Sequence, residues 1–363
     1  MRNYRIRRLF GPGPSTVAPS VLQAMARPLL GHLDPEFLSM MDEVRDMLRR
    51  TFKTANETTF AVSGTGSAGM EAALVNLLEP GDIAVVGIAG VFGERMAEVA
   101  RRCGAQVREV RAEWGTPIEP ARIVPHLDGA KVLAFVHAET STGMRQPVEP
   151  LASLGRDAGA MIVVDAVTSL AGIPVETDAW GVDVCYSGTQ KCLSVPPGLA
   201  PITFSPRAVE AIAARRSPVQ SWYLDVSLLT RYWGSERVYH HTAPISMLLG
   251  LHEGLRLVLE EGLETRWARH ERLGAVLAKE LDALGFEQFA QDGFRLPQLQ
   301  AVRLPGGRDA DALRRELLDR FDVEVGGGLG PLAGTAWRIG LMGESCHEDA
   351  IEFLLDAIRE VLG

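Results

Sequence analysis

The feature that most constrains what this chain can fold into is an alternation between about Thr58 and Phe204. Short apolar stretches, at residues 59–62, 83–87, 106–110, 132–136, 161–165, 182–187 and 201–204, are separated by helix-like ones. The apolar stretches are largely continuous and bounded by Gly, Pro or Asp, the texture of strands buried on both faces of a mostly parallel sheet. Helical patterns fall between them at 70–78, 93–103 and 150–158. Strand–helix alternation over this length predicts an α/β layered domain with a mostly parallel, seven-stranded sheet.

After about Ala243 the pattern changes. Met247, Leu248, Leu251, Leu255, Val258 and Leu259 follow one helical stripe. Leu263, Trp267, Leu273, Leu277, Leu281 and Leu284 follow a second, and Gly262 interrupts the two. Two candidate strands, 298–304 and 323–325, and two helices, 309–321 and 348–361, complete a smaller α+β domain. The expected organisation is an N-terminal arm (1–20), a large domain (21–261) and a small C-terminal domain (262–363).

Composition narrows the function. Hydrophobic residues make up 46% of the 363, enough for a large core. Lys plus Arg number 37 against 46 Asp plus Glu, a net charge of −9, which argues against a nucleic-acid partner because phosphate neutralisation needs a basic surface. No apolar run approaches the ~20 residues of a membrane span. The four cysteines, Cys103, Cys185, Cys192 and Cys346, show no CxxC spacing, and the opening MRNYRIRRLF has no apolar stretch of a secretory signal behind it. The expectation is a cytoplasmic protein without a structural metal.

Four features carry chemistry. Ser63-Gly64-Thr65-Gly66-Ser67-Ala68-Gly69 follows a strand and opens a helix, where small residues let backbone N–H groups crowd an anion; the same residues also suit a glycine-rich turn with an N-cap serine. Asp165 ends an apolar strand, where open α/β sheets bind ligands, or else caps a following helix. Lys191, in Tyr186-Ser187-Gly188-Thr189-Gln190-Lys191, precedes an apolar stretch whose desolvation would make its amine a nucleophile; otherwise it is a surface lysine in a turn. Arg338, within Trp337-Arg338-Ile339-Gly340, either grips a carboxylate with both guanidinium arms or forms an internal salt bridge.

In this order the four make the apparatus that pyridoxal phosphate (PLP) requires: a phosphate cup, a carboxylate for the pyridine nitrogen, a Schiff-base lysine and a distal arginine. The chain resembles the class V (fold type I) PLP aminotransferases, of the alanine–glyoxylate and serine–glyoxylate kind. The resemblance runs from Gly11-Pro12-Gly13-Pro14 to Trp337-Arg338-Ile339-Gly340, and its most specific stretches are SGTGSAGMEAALVNLLEPGD, ETSTG, VDAVTSLAG, YSGTQK, YHHTAP and GGLGP.

The resemblance implies that Lys191 holds the cofactor and moves protons in a ping-pong cycle, while Asp165 pairs with the pyridine nitrogen. It implies that Gly66, Ser67 and Gln190 hold the phosphate, and that Thr140 lies near the ring hydroxyl and the substrate. Phe92 would stack on the cofactor face, where these enzymes usually carry Trp, and Ser67 stands where they often have His. Tyr239 and Thr242 would reach the phosphate of a neighbouring subunit, implying a homodimer with active sites at the interface. Arg338 would bind the substrate carboxylate. One clamp of this kind suits a small monocarboxylate such as alanine or serine with glyoxylate as acceptor, with Arg95 read as a helix-surface arginine. Transaminases for 3-hydroxykynurenine, ureidoglycine or aspartate, and a cysteine-desulfurase-like lyase, are the alternatives. His240-His241 has no acidic or Cys partner spaced for zinc.

Overall fold

The computed structural model describes residues 5–363; the first four residues of the expected N-terminal arm lie outside the described residues. The apolar stretches between Thr58 and Phe204 become β1 (Thr58–Ser63), β2 (Ile83–Ile88), β3 (Gln106–Arg111), β4 (Ala130–Val136), β5 (Met161–Asp165), β6 (Val184–Tyr186) and β7 (Leu199–Phe204). They form one seven-stranded sheet in the order β1-β7-β6-β5-β4-β2-β3. Neighbours pair parallel, except that β7 runs antiparallel to β6 and β1. β1, β2 and β4 to β7 are buried almost along their whole length, because helices cover both faces and no strand residue needs a solvent side.

Two helices precede the sheet where the sequence reading assigns no element: Pro19–Met25 and Pro35–Phe52. The second starts on Asp34, whose side chain accepts from Glu36 N, with Pro35 in the first turn where its missing N–H costs nothing. It buries Phe37, Met41, Val44 and Leu48 at helical spacing. It ends at Lys53, which takes left-handed backbone (φ 52) and returns its N–H to the last turn.

Two long helices, Ile245–Glu261 and Leu263–Ala283, are separated by Gly262 at φ 84, a conformation that suits glycine. The second contributes Leu263 to the core under the large sheet and Leu273, Leu277 and Leu281 to a separate core with Val302, Leu317, Trp337, Ile339, Leu354 and Ile358. That second core lies under an antiparallel sheet of Glu287–Gln288, Leu299–Arg303, Ala336–Gly340 and Gly326–Gly327, in that spatial order. Helices Ala310–Phe321 and Glu348–Leu362 add their buried faces to it.

The stretch expected at 323–325 as a strand of this sheet behaves differently. Val323–Glu324 pairs in parallel with Arg8–Leu9, more than 300 residues away in sequence. Phe10, buried with Val323 and Val325, supplies the apolar surface for the pairing, and Gly340 N donates to Phe10 O at 2.8 Å. The arm is thereby fastened to the small sheet beside Arg338. Among the described residues no helix is long and apolar enough to cross a membrane.

Candidate active site

The crevice beyond the carboxyl ends of the sheet strands is where α/β folds of this kind place ligands. A cavity of about 120 Å³ occurs there, bounded by Gly66, Ser67, Phe92, Thr140, Asp165, Gln190 and Lys191 among others. Seven of the ten residues expected at the site thus share one cavity, although they span 125 positions of sequence from Gly66 to Lys191.

Asp165 is the last residue of β5 and is buried. Its Oδ1 accepts from Val167 N at 2.8 Å and its Oδ2 from the Tyr186 hydroxyl at 2.9 Å. Asp165 therefore caps a tight turn; no helix follows directly. Burial pushes its pKa up to about 6, against the pull of those two donors and of nearby Lys191 and Arg95. Tyr186, which sequence reasoning gave no role, faces Asp165 because β5 and β6 pair in the register Asp165↔Tyr186.

Lys191 lies on the turn after β6. Burial, and secondarily the positive charge of Arg338, lower its pKa to about 8, so a usable fraction of the amine is neutral near physiological pH. Its Nζ donates to Pro12 O, and Ser15 clamps the same turn through Ser15 N to Gln190 O (2.9 Å) and Ser15 Oγ to Lys191 O (2.7 Å). Gly13, at φ +113, passes so close that a Cβ would stand 2.7 Å from Lys191 Nζ. Glycine alone allows that approach. The arm's position against Lys191 is a second feature the sequence reading did not anticipate.

The helix Gly66–Leu77 starts at the cavity on Thr65, whose side chain makes no capping bond. Its first N–H groups thus keep their partial positive charge for an anion. Beside it, Gln190 Oε1 is buried without a partner, and Gly188, packed on Gly66, has no room for a side chain next to that amide. Phe92 and Arg95, three residues apart on helix Val91–Arg102, share the face that lines the cavity, with the guanidinium 5.3 Å from the ring centroid. Arg95 is exposed on the helix, as expected of a helix-surface arginine, and in addition borders the cavity; among the described residues it makes no salt bridge.

Arg338 lies on the central strand Ala336–Gly340 of the small sheet. Strand alternation sends Trp337 and Ile339 into the second core and Arg338 to the opposite face. Trp337 fixes the strand further by donating Nε1–H to Ala310 O at 2.8 Å. Arg338 is buried, donates Nε–H to Gly327 O at 2.8 Å, and forms no salt bridge among the described residues. Burial lowers its pKa to about 10, which still leaves it cationic at neutral pH.

Tyr239 and Thr242 do not line this chain's cavity. They stand exposed, their hydroxyls 3.5 Å apart. All four cysteines are buried and unpaired; burial pushes the Cys346 and Cys103 thiols up to about 11 and Cys192 to about 12, so none is a ready thiolate. Among the described residues no group of three or more His, Cys, Asp or Glu side chains is placed to hold a metal.

Residues 9–330 match the family "Aminotransferase class-V". The fold superposes on the alanine–glyoxylate aminotransferase of Nostoc sp. with a TM-score of 0.97 at 47% identity, covering 100% of this chain and 97% of that one. The chain is 41% identical to the (S)-ureidoglycine–glyoxylate transaminase of Bacillus subtilis (98% of this chain, 91% of the relative). It is 39% identical to the alanine–glyoxylate aminotransferase of Callithrix jacchus (98% and 87%). The seven-stranded sheet, the small antiparallel sheet and these matches together give the fold type I architecture, and the chain belongs to the class V aminotransferase family.

Proposed function

We propose that this protein transfers the amino group of alanine, with serine as the next donor, to glyoxylate, using PLP held at the cavity between Gly66 and Lys191. Class V membership implies the cofactor, and amino-acid and 2-oxo-acid substrates with it. The residues fit PLP. An uncapped helix start stands at one end of the cavity, where a phosphate needs donors, Gln190 lines the cavity beside it, and a buried carboxylate stands in its wall.

In this reading Gly66, Ser67 and Gln190 would hold the phosphate, Phe92 would pack against the ring, Thr140 would lie near it and Asp165 would pair with the ring nitrogen. PLP, when bound, supplies the electron-withdrawing ring that makes the substrate Cα–H acidic. Lys191 Nζ, with its lowered pKa, takes the proton from Cα and returns it, acting as base and then as acid. Arg338 binds the α-carboxylate of amino acid and oxo acid in turn through the guanidinium nitrogens that Gly327 leaves free. The arm at Pro12 and Gly13 closes against Lys191 and keeps water from it. Tyr239 and Thr242, exposed beside Trp222 at 62% and Tyr223 at 38%, belong to the face that meets a second subunit in a homodimer, where they reach the partner's phosphate site.

The single observation that carries the choice of substrate is Arg338: a buried guanidinium that makes no salt bridge among the described residues, its positive charge depressing the basicity of Lys191. A second reading rests on Arg95 at the cavity wall and on the ureidoglycine relative. A second guanidinium can donate to the carbonyl oxygen of a ureido group, so ureidoglycine is the alternative donor. Purified holoenzyme offered alanine, serine, ureidoglycine, aspartate, glutamate and cysteine, each with glyoxylate and with pyruvate, separates these. Alanine with glyoxylate is expected to give the highest kcat/KM. A higher value for ureidoglycine establishes the second reading, faster turnover of aspartate or glutamate overturns both, and sulfide release from cysteine indicates a lyase.

A further inference from the structure

Glu139 is buried behind the cavity wall, and its carboxylate is filled on both sides. Oε2 accepts from Phe92 N (3.2 Å) and Gly93 N (3.4 Å); Oε1 accepts from Ser141 N (3.1 Å) and the Ser141 hydroxyl (2.6 Å). Ser141 Oγ in turn accepts from Val91 N at 3.0 Å. Val91, Phe92 and Gly93 are the first three residues of helix Val91–Arg102, so two side chains satisfy the N–H groups that a helix start leaves open. The fit is tight: a Cβ on Gly90 would stand 2.3 Å from Ser141 Oγ and 2.6 Å from Glu139 Cδ.

Four N–H or O–H groups directed at one carboxylate require two acceptor oxygens. An amide would turn a donor of its own toward at least one of them. The pair therefore acts as a cap on the helix start, its hydrogen bonds opposing the upward push of burial and of Asp165 on the Glu139 pKa. The group it locks in place is Phe92, whose own N–H is one of the four and whose side chain lines the cavity.

We propose that Glu139, working with Ser141, is a positioning residue that fixes Phe92 as the aromatic wall against which the cofactor ring stacks. The proposal rests on the PLP reading above. It assigns a purpose to a buried carboxyl group that makes no salt bridge among the described residues and does not line the cavity, although its charge also acts on Arg338.

The test uses full-length protein stripped of cofactor and titrated with PLP, read by the dissociation constant and by the visible circular dichroism induced in the bound cofactor. Wild type, Glu139→Gln, Phe92→Leu and the double variant form a cycle. Glu139→Gln is expected to weaken PLP binding by about tenfold and to diminish the visible dichroism. In the Phe92→Leu background the same change is expected to cost less than about twofold, because the ring it positions is gone. Equal effects in both backgrounds, or wild-type affinity and dichroism in Glu139→Gln, overturn the proposal. Should Glu139→Gln fail to fold, Ser141→Ala takes its place in the cycle, with an expected loss of about threefold and the same dependence on Phe92. Wild-type protein that does not bind PLP defeats the underlying reading instead, a result distinct from either.

Discussion

The rim of the large sheet and the small sheet each bury a titratable group near Lys191, Asp165 lining the cavity and Arg338 acting on Lys191 through its charge, but the two groups differ in how fully they are hydrogen-bonded. Asp165, at the end of β5, has a donor on each oxygen before any ligand arrives: Val167 N on one and the Tyr186 hydroxyl on the other. Arg338, on Ala336–Gly340, has one nitrogen engaged by Gly327 O and no salt bridge among the described residues, the carboxylate influence on it being that of Glu139. In the proposed function the large sheet would hold its group rigidly for a resident molecule, where preorganised polar contacts make the largest contribution to catalysis. The small sheet would keep a guanidinium for a molecule that comes and goes, at the cost of burying a cation without a salt bridge. The arm joins the two regions, since Arg8–Leu9 pairs with Val323–Glu324 while Pro12 and Ser15 hold the turn of Lys191.

That contrast predicts different failures. Asp165→Asn should retain cofactor, because the phosphate cup is untouched, yet lose transamination on the order of a thousandfold, because an amide cannot stabilise a charged pyridine nitrogen. Activity within a few-fold of wild type would reduce Asp165 to a turn cap. Arg338→Lys should lower kcat/KM by roughly ten- to a hundredfold, mainly by raising KM for both amino acid and oxo acid, with the cofactor spectrum unchanged. An altered spectrum would mean that Arg338 belongs to cofactor binding, and the contrast between the sheets would collapse. Tyr186→Phe is the mildest change. It removes one donor from Asp165, whose pKa burial already pushes up to about 6, so the carboxylate should become easier to protonate. A carboxyl that must be ionised loses its effect as pH falls through its pKa. The acid limb of the rate profile should therefore move to higher pH, by about one pH unit for the loss of one hydrogen bond to a charged group. An acid limb that stays in place would show that Tyr186 only packs.

The two regions also differ in how far they can be read from sequence. Asp165 stands at the end of a continuous apolar run and Lys191 a short polar turn after another, so the strand pattern puts both at the ligand edge of a sheet. The role of Tyr186 depends on the register of β5 against β6, which no local pattern encodes. The pairing of the arm with Val323–Glu324 joins opposite ends of the chain, and a two-residue strand leaves almost no periodic trace. Helix Pro35–Phe52, by contrast, carries a local signal that the sequence reading passed over: Asp34-Pro35 is a start signal, and Phe37, Met41, Val44 and Leu48 keep helical spacing. Glu139 was hidden by its neighbours. In Glu139-Thr140-Ser141-Thr142-Gly143 it reads as one more polar residue of a loop, and only the approach of Gly90 shows what it caps.

The central claim is that Lys191 is the residue to which the cofactor bonds, its reactivity set by burial next to Arg338. The most direct measurement is borohydride reduction of the PLP-loaded protein followed by peptide mapping, with the rate of PLP capture by the stripped protein followed against pH. The label should fall on Lys191, and capture should quicken as pH rises through about 8, where the buried amine loses its proton, and then level off. A label on Lys53, Lys131 or Lys279, or a capture rate still climbing toward the ordinary lysine range above pH 10, would contradict it.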